Sequence, residues 1–140
     1  MKFDTRGLKI MVVENDRTIL EVIQLRLEVA GYDSIMARTG RSAIEALRNF
    51  RPAALVVELN LPDMSGLQVL AALGAGADRC SVPTLVMARH LGEGDVQRAV
   101  LLGARDCMTK PFSGADILTR VGRLLGPAPG AAPLRQGAAA

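Results

Sequence analysis

ALVVE at residues 54–58 runs directly into LNLPDMSG at residues 59–66, and this stretch decides the fold. Four apolar residues in a row are typical of a buried strand, and a single acid, Glu58, closes the run. Pro62 and Gly66 indicate a turn before a helix begins. An acid at the carboxyl end of a buried strand is destabilising unless another group pairs with it, coordinates it or uses it. Glu58 is therefore the first candidate functional residue.

Apolar runs of similar length recur along the chain, and helical spacing of apolar side chains follows each of them. We predict strands at 8–13, 32–37, 54–58, 83–88 and 105–109. We predict helices from Asn15 or Asp16 to Gly31, from Thr39 or Ser42 to Pro52, and over 66–74, 96–103 and 113–125, with loops at 74–81 and 89–94. This alternation predicts an α/β fold whose parallel sheet is covered on both faces.

The composition is that of one domain with an aliphatic core. Of the 140 residues, 49% are hydrophobic and 22% charged, with three Phe, one Tyr and no Trp. The net charge of +3 is spread along the chain without a basic run, so nucleic-acid binding is not expected. No apolar run is long enough to span a membrane and the first residues lack a signal region. These features predict a cytoplasmic protein in which Cys80 and Cys107 are reduced.

Polar or small residues end several of the predicted strands. Glu14 and Asn15 follow the first strand, Glu58 closes the third, Ala88 the fourth, and Lys110 follows the fifth. The carboxyl ends of parallel strands meet at one edge of the sheet, which is the working edge of such folds. We therefore expect these side chains to lie close together.

Four motifs occur along the chain: VVEND at 12–16, LNLPDMSG at 59–66, GARD at 103–106 and TKPF at 109–112. In these motifs, their order and their spacing, residues 8–125 resemble the receiver domain of two-component response regulators. The resemblance implies a doubly wound, flavodoxin-like parallel sheet of five strands in the order 2-1-3-4-5. It places a receiver-like domain at 8–126 after an N-terminal extension at 1–7. The Ala, Pro and Gly of residues 127–140 predict a disordered tail.

In that family, two acids after the first strand and an Asp ending the third hold Mg²⁺, and the Asp accepts a phosphoryl group from a histidine kinase. Here Glu14 matches the first acid, Asn15 stands at the second, and Glu58 stands at the phosphoacceptor position. Asn15 removes a charge from the metal site, and the longer Glu58 misplaces the attacking oxygen. We therefore expect no cofactor, with Mg²⁺ binding at Glu14, Glu58 and the Asn60 position weak or absent.

The family's switch consists of a hydroxyl ending the fourth strand, an aromatic residue on the fifth, and a Lys after it. In this chain Ala88 and Cys107 replace the hydroxyl and the aromatic ring, whereas Lys110 is retained. Lys110 is the expected charge partner of Glu58. Three interpretations stay open: a structural ion pair, a permanent imitation of the phosphorylated state, and residual phosphorylation at Glu58 or Asp63. Otherwise Asp63 is expected to be a solvated turn acid.

These departures predict an atypical, stand-alone receiver that acts through protein–protein contacts in bacterial signal transduction and not as an enzyme. One alternative is a receiver that is still weakly phosphorylated in a phosphorelay, and another is a small-ligand-binding α/β domain. Expected partners are signalling proteins, such as a histidine kinase or another regulator, or a second copy of the chain. They would bind the face of the fourth helix, fifth strand and fifth helix, whose charged residues are Arg89, His90, Arg98, Arg105, Asp106, Arg120 and Arg123.

Overall fold

The computed structural model describes residues 7–74 and 82–126, in which five strands alternate with five helices. In chain order they are β1 (Lys9–Val13), α1 (Arg17–Val29), β2 (Asp33–Ala37), α2 (Gly40–Leu47), β3 (Ala54–Glu58), α3 (Gly66–Leu73), β4 (Thr84–Ala88), α4 (Glu93–Leu101), β5 (Asp106–Thr109) and α5 (Gly114–Leu125). The predictions for residues 1–6, for most of the 74–81 loop and for the 127–140 tail lie outside the described residues, as does Cys80.

All five strands are parallel and lie in the order β2-β1-β3-β4-β5, which confirms the predicted doubly wound sheet. Val57 of β3 pairs with Val13 of β1, and Glu58 pairs with Met87 of β4. Ala88 pairs in turn with Thr109 of β5. This register brings the carboxyl ends of β1, β3, β4 and β5 to one edge.

The central strands carry apolar side chains on both faces because helices cover both sides of the sheet. Val57 faces α2, α3 and α4, together with Met11 and Leu55. Val56 faces α1 and α5, together with Ile10 and Leu85. Every residue of β3 and β4 is buried, so a charged side chain at the end of β3 is held by a rigid element. Within the described part of the chain, none of the helices has the length and apolarity needed to cross a bilayer.

Polar side chains at the helix N-termini fix where the helices begin. Asp16 accepts hydrogen bonds from the backbone N–H groups of Thr18 and Ile19 at the start of α1. Ser65 caps α3, and the Gln68 side chain completes the capping box.

Two predicted helix boundaries were wrong. Helix α2 ends at Leu47, well before Pro52, because the N–H groups of Arg48 and Asn49 bond to carbonyls three residues back and tighten the last turn. Helix α4 begins at Glu93, inside the segment predicted as a loop, because the Asp95 carboxylate accepts the Gly92 N–H at 3.0 Å and starts the helix earlier.

Candidate functional site

Three charged side chains meet at the carboxyl edge of the sheet. Glu14 follows β1, Glu58 closes β3, and Lys110 follows β5. The Lys110 ammonium donates to Oε1 of Glu14 at 2.6 Å and also contacts Oε1 of Glu58. The exposed fractions of these side chains are 8% for Lys110, 3% for Glu14 and 5% for Glu58. We call these three residues the Lys110 cluster.

The position of Lys110 depends on the strand order. Strand β4 lies between β3 and β5, so the Lys110 side chain must pass over the end of β4 to reach Glu58. That end is Ala88, which is fully buried and has no side chain beyond Cβ. The backbone N–H of Lys110 donates to the Ala88 carbonyl at 2.8 Å, which anchors the residue where its side chain starts.

The second oxygen of each carboxylate is also hydrogen-bonded. Oε2 of Glu14 accepts the backbone N–H of Asp16 at 2.9 Å, and Oε2 of Glu58 accepts that of Asn60 at 2.7 Å. Each acid therefore has one ammonium contact and one backbone donor. The cluster contains two carboxylates and one ammonium, which leaves it with a net charge of −1.

Burial alone would lower the pKa of Lys110, because it disfavours the charged ammonium. The hydrogen bonds to Glu14 and Glu58, together with their negative charges, instead raise the pKa of Lys110 above its ordinary value. Lys110 is therefore a permanent cation in this site at neutral pH.

The two Asn residues of the predicted site lie at its exposed rim. Asn15 is exposed, and its backbone carbonyl accepts hydrogen bonds from Nε and Nη2 of Arg38 at 3.3 and 2.9 Å. These contacts of Arg38 fix the loop between β1 and α1. Asn60 is exposed as well and forms an isolated bridge with Ser65. No local pattern in the sequence marks a residue 23 positions away as the partner of Arg38, so this contact was not predicted.

Asp63 is an exposed acid in the turn after β3, as the sequence predicted, and it also binds the start of α2. Its carboxylate accepts the backbone N–H groups of Gly40 and Arg41 at 2.8 and 2.9 Å, the first two residues of α2. The hydrogen bonds from Arg41 and Gly40 lower the pKa of Asp63. Asp63 thus holds the N-terminus of α2 against the loop after β3.

Cys107 is not among the contacts of the Lys110 cluster that the described residues form. Cys107 is half-buried in β5, where it pairs with Val86 and packs on the side of the sheet that α4 covers. Burial, and secondarily the Asp106 charge, raises the pKa of its thiol. Among residues 7–74 and 82–126, no group of three or more His, Cys, Asp or Glu side chains is arranged to hold a metal ion.

Comparison with known proteins agrees with the receiver resemblance of the sequence. The family model described as "Response regulator receiver domain" matches residues 10–122. The chain is 33% identical over 112 residues to the transcriptional regulatory protein KdpE of Mycobacterium tuberculosis, covering 80% of this chain and 48% of KdpE. It is 34% identical over 117 residues to the alkaline phosphatase synthesis transcriptional regulatory protein PhoP of Bacillus subtilis, covering 84% of this chain and 48% of PhoP. The chain thus spans about half the length of these relatives.

Solved structures show the same fold. The chemotaxis protein CheY4 of Vibrio cholerae superposes with a TM-score of 0.79 at 24% identity, covering 85% of this chain and 99% of CheY4. The signal receiver domain of a histidine kinase from Syntrophus aciditrophicus superposes with a TM-score of 0.76 at 27% identity, covering 92% of this chain and 98% of that domain. The family match spans most of the sequence and includes the whole Lys110 cluster. The chain therefore belongs to the response regulator receiver domain family of two-component signalling.

Proposed function

We propose that this receiver signals through protein–protein contacts and does not use phosphorylation at residue 58. The proposal rests on one observation, which is that Lys110 contacts both Glu14 and Glu58 in a buried site. The acids at the positions where a receiver would bind its metal and phosphoryl group are paired here with the chain's own lysine. We propose for this receiver neither an enzymatic activity nor a cofactor.

Glu58 is a poor phosphoryl acceptor in this arrangement. Its Oε1 contacts the Lys110 ammonium and its Oε2 accepts the Asn60 N–H, so both oxygens are already engaged and are less available to attack phosphorus. Phosphoryl transfer depends on in-line placement of a free oxygen and on neutralisation by metal.

The donor set does not fit Mg²⁺ well. The ion prefers hard, charged oxygen ligands in a tight octahedral arrangement. The two buried carboxylates already share one ammonium, and exposed Asn15 supplies no third negative charge. We propose that Mg²⁺ binds weakly or not at all, and we derive no chemical step through it.

Glu58 places one fixed negative charge near the position that a phosphoryl group would take. A charge changes a conformational equilibrium only if it interacts differently with the two states. Ala88 has no hydroxyl and Cys107 no ring, so the groups expected to respond to that charge are missing. We therefore propose that the protein holds one signalling state, with its specificity on the surface.

The partners we propose are other signalling proteins, such as a histidine kinase or another regulator, in the cytoplasm. They would bind the face formed by α4, β5 and α5, where the apolar side chains of Val100 and Leu101 are 53% and 76% exposed. Exposed large apolar side chains next to charged ones are common at transient protein interfaces.

A small-ligand site is the less well supported function. A cavity of about 240 Å³ lies beside Lys110 and is lined by Thr18, Ile19, Val22, Arg89, Pro111 and Phe112. Ligand pockets for drug-sized molecules are larger, roughly 300–1,000 Å³. Of the two cations that line it in the described part of the chain, Lys110 is already engaged by two carboxylates. Both facts favour the binding of proteins over that of small molecules.

Intact-mass measurement after incubation with acetyl phosphate and Mg²⁺ tests the proposal. We expect no adduct on the natural chain. The variant that combines Glu58→Asp with Asn15→Asp restores the family's acids and is the positive control, with an expected gain of about 80 Da for one phosphoryl group. An adduct of that mass on the natural chain, located at Glu58 or Asp63, would overturn the proposal and establish the weakly phosphorylated receiver in its place.

A further inference from the structure

Helix α1 carries a second apolar face, which is directed away from the sheet. Its inner face packs three side chains into the core: Leu20, Ile23 and Leu27. At 3.6 residues per turn, Val22, Leu25 and Val29 lie on the opposite side of the helix, where they are 45%, 60% and 78% exposed. Large apolar side chains that line up along an exposed helix face indicate a contact surface. We call these three residues the α1 seam.

The spacing within the α1 seam is that of a two-stranded coiled coil. Leu25 follows Val22 by three positions and precedes Val29 by four, which is the heptad spacing of positions a, d and a. Exposed Thr18 stands at the preceding d position. Valine at a with leucine at d favours two parallel helices over larger bundles. The seam therefore matches the surface through which one helix packs against one parallel partner.

Charged residues flank the α1 seam on both sides. Glu21 and Glu28 stand at the g positions, and the Glu28 carboxylate accepts the Ser34 hydroxyl of β2 at 3.3 Å. Arg26 stands at the e position on the other flank, where its guanidinium lies against the α-carbon of Gly114 in α5. Neither Glu21 nor Arg26 forms an ion pair within residues 7–74 and 82–126. Both charges are therefore available to a second molecule.

We propose that two copies of the chain associate through the α1 seam with their α1 helices parallel. In that arrangement, position g of one helix lies beside position e of the other, five residues further along. Glu21 of one copy pairs with Arg26 of the second copy, because these residues are five positions apart. The twofold axis forms this pair twice, with the apolar seam between the two pairs.

The same charges disfavour an antiparallel arrangement. There the two g flanks face each other, so that Glu21 would lie beside Glu28 of the second copy and the like charges would repel. The α1 seam is thus complementary to itself in one direction only. An unrelated helix would have to supply both the apolar spacing and the order of charges that a second copy already carries. The seam therefore favours self-association over a different partner.

The contact is small but needs little ordering. Helix α1 has 13 residues and is about 20 Å long, so the pair of helices buries less than the roughly 1,200 Å² of stable interfaces. The core already holds α1 in helical form, so association does not have to fold it. We expect a dissociation constant between about 1 µM and 1 mM. This surface differs from the one proposed for other signalling proteins, and the inference does not depend on that proposal.

Sedimentation equilibrium of the full chain from about 10 µM to about 1 mM tests the inference. We expect a monomer–dimer equilibrium, with concentration-dependent ¹⁵N amide shifts at the α1 seam. Leu25→Glu places like charges face to face and should stay monomeric over this range. Glutamate is a good helix former at this exposed position, and circular dichroism checks the fold. Val100→Glu, at a 53% exposed position on α4, is the matched control and should dimerise as the natural chain does.

Charge exchange tests the direction of the helices. Glu21→Arg places two arginines side by side in the parallel dimer and should weaken it about tenfold, whereas in an antiparallel dimer it would meet Glu28 and tighten the contact. Arg26→Glu should weaken the parallel dimer to a similar extent. An equimolar mixture of the two variants should dimerise like the natural chain, because each supplies the charge that the other has lost. Dimerisation of the mixture also shows that both variants fold.

Four results would overturn the inference. They are a chain that stays monomeric up to about 1 mM, a dimer that Leu25→Glu does not weaken, a dimer that is lost in Val100→Glu, and a tighter dimer in Glu21→Arg. The third result would assign self-association to the α4 face, and the fourth to antiparallel helices. These measurements contain no phosphoryl donor, so their failure is distinct from that of the proposed function. A phosphoryl adduct at Glu58 would leave the α1 dimer standing.

Discussion

Gly66 packs its α-carbon directly against the backbone carbonyl of Glu58, and a Cβ atom at this position would overlap that oxygen. The backbone N–H of Gly66 also donates to the carbonyl of Leu59 at 2.7 Å. The first turn of α3 thus lies on the end of β3 and fixes the backbone from which the Glu58 carboxylate projects. Only a residue without a side chain allows this approach.

Replacing Gly66 with Ala should therefore destabilise the protein. The added methyl group meets backbone atoms, which cannot rotate away, so α3 must shift from the sheet edge. We expect the free energy of unfolding to fall by about 1–3 kcal/mol, the usual range for overpacking a tight site. Urea unfolding followed by circular dichroism measures the change.

Gly122→Ala is the matched control for this substitution. Gly122 lies in α5, is exposed, and a Cβ there would have no atom within 4 Å. Because Ala is the better helix former, we expect this variant to gain up to about 1 kcal/mol. If both variants lost the same stability, the contact between Gly66 and Glu58 would not be the cause.

The sequence predicts the parallel sheet and the edge at which Glu14, Glu58 and Lys110 meet, because both follow from local patterns. The apolar run that ends in Glu58 marks a buried strand, and alternation with helices fixes the direction of all the strands. Side-chain contacts across the fold are a different matter. Asp63 and Arg38 each bind backbone groups 22 or 23 positions away, and nothing in the sequence near them identifies those partners.

Lys110→Met removes the cation between two buried carboxylates and should be strongly destabilising. Glu14 and Glu58 would then repel each other in a site with little water. Removing one partner of a buried ion pair costs about 3–5 kcal/mol, and we expect a loss near the lower end because both acids keep a backbone donor. Denaturant unfolding at pH 7 measures this loss.

Two further measurements identify repulsion as the cause. Adding Glu58→Gln to Lys110→Met should restore part of the stability, and lowering the pH should do the same, because either change removes a negative charge. Lys9→Met is the control, since Lys9 is 52% exposed and lies 3.7 Å from Asp33, where pairing contributes under about 1 kcal/mol. A Lys110→Met protein as stable as the natural chain would show that the cluster is unimportant for the fold.

At alkaline pH the raised pKa of Lys110 predicts a loss of stability. The folded protein holds this proton more tightly than the unfolded chain does, so the stabilisation is fully present below the unfolded value of 10.5 and is lost as the pH rises through the higher folded value. Urea midpoints measured from pH 8 upward should decline less steeply in Lys110→Met. Burial also raises the pKa of Tyr32, which adds a decline of the same sign, and Tyr32→Phe separates that contribution. Identical slopes for Lys110→Met and the natural chain would contradict the prediction.

The Asp63 contact with α2 predicts an effect at acid pH with the opposite sign. Because hydrogen bonds from Arg41 and Gly40 lower the pKa of Asp63, its stabilisation is present above the unfolded value of 3.8 and is lost as the pH falls through the lower folded value. Asp63→Asn keeps the side-chain shape but can accept only one of the two N–H bonds well, since its amide nitrogen is a donor. We expect it to lower the melting temperature at pH 7 and to flatten the acid limb of the stability curve.

Asp33→Asn is the comparison for Asp63→Asn, because Asp33 is an exposed acid whose ion pair with Lys9 spans 3.7 Å. It should leave the melting temperature nearly unchanged. Hydrogen exchange locates the effect: in Asp63→Asn the amides of Gly40 and Arg41 should exchange faster, while those of α5 should not change. Equal protection of these two amides in the variant and the natural chain would mean that Asp63 does not hold the start of α2.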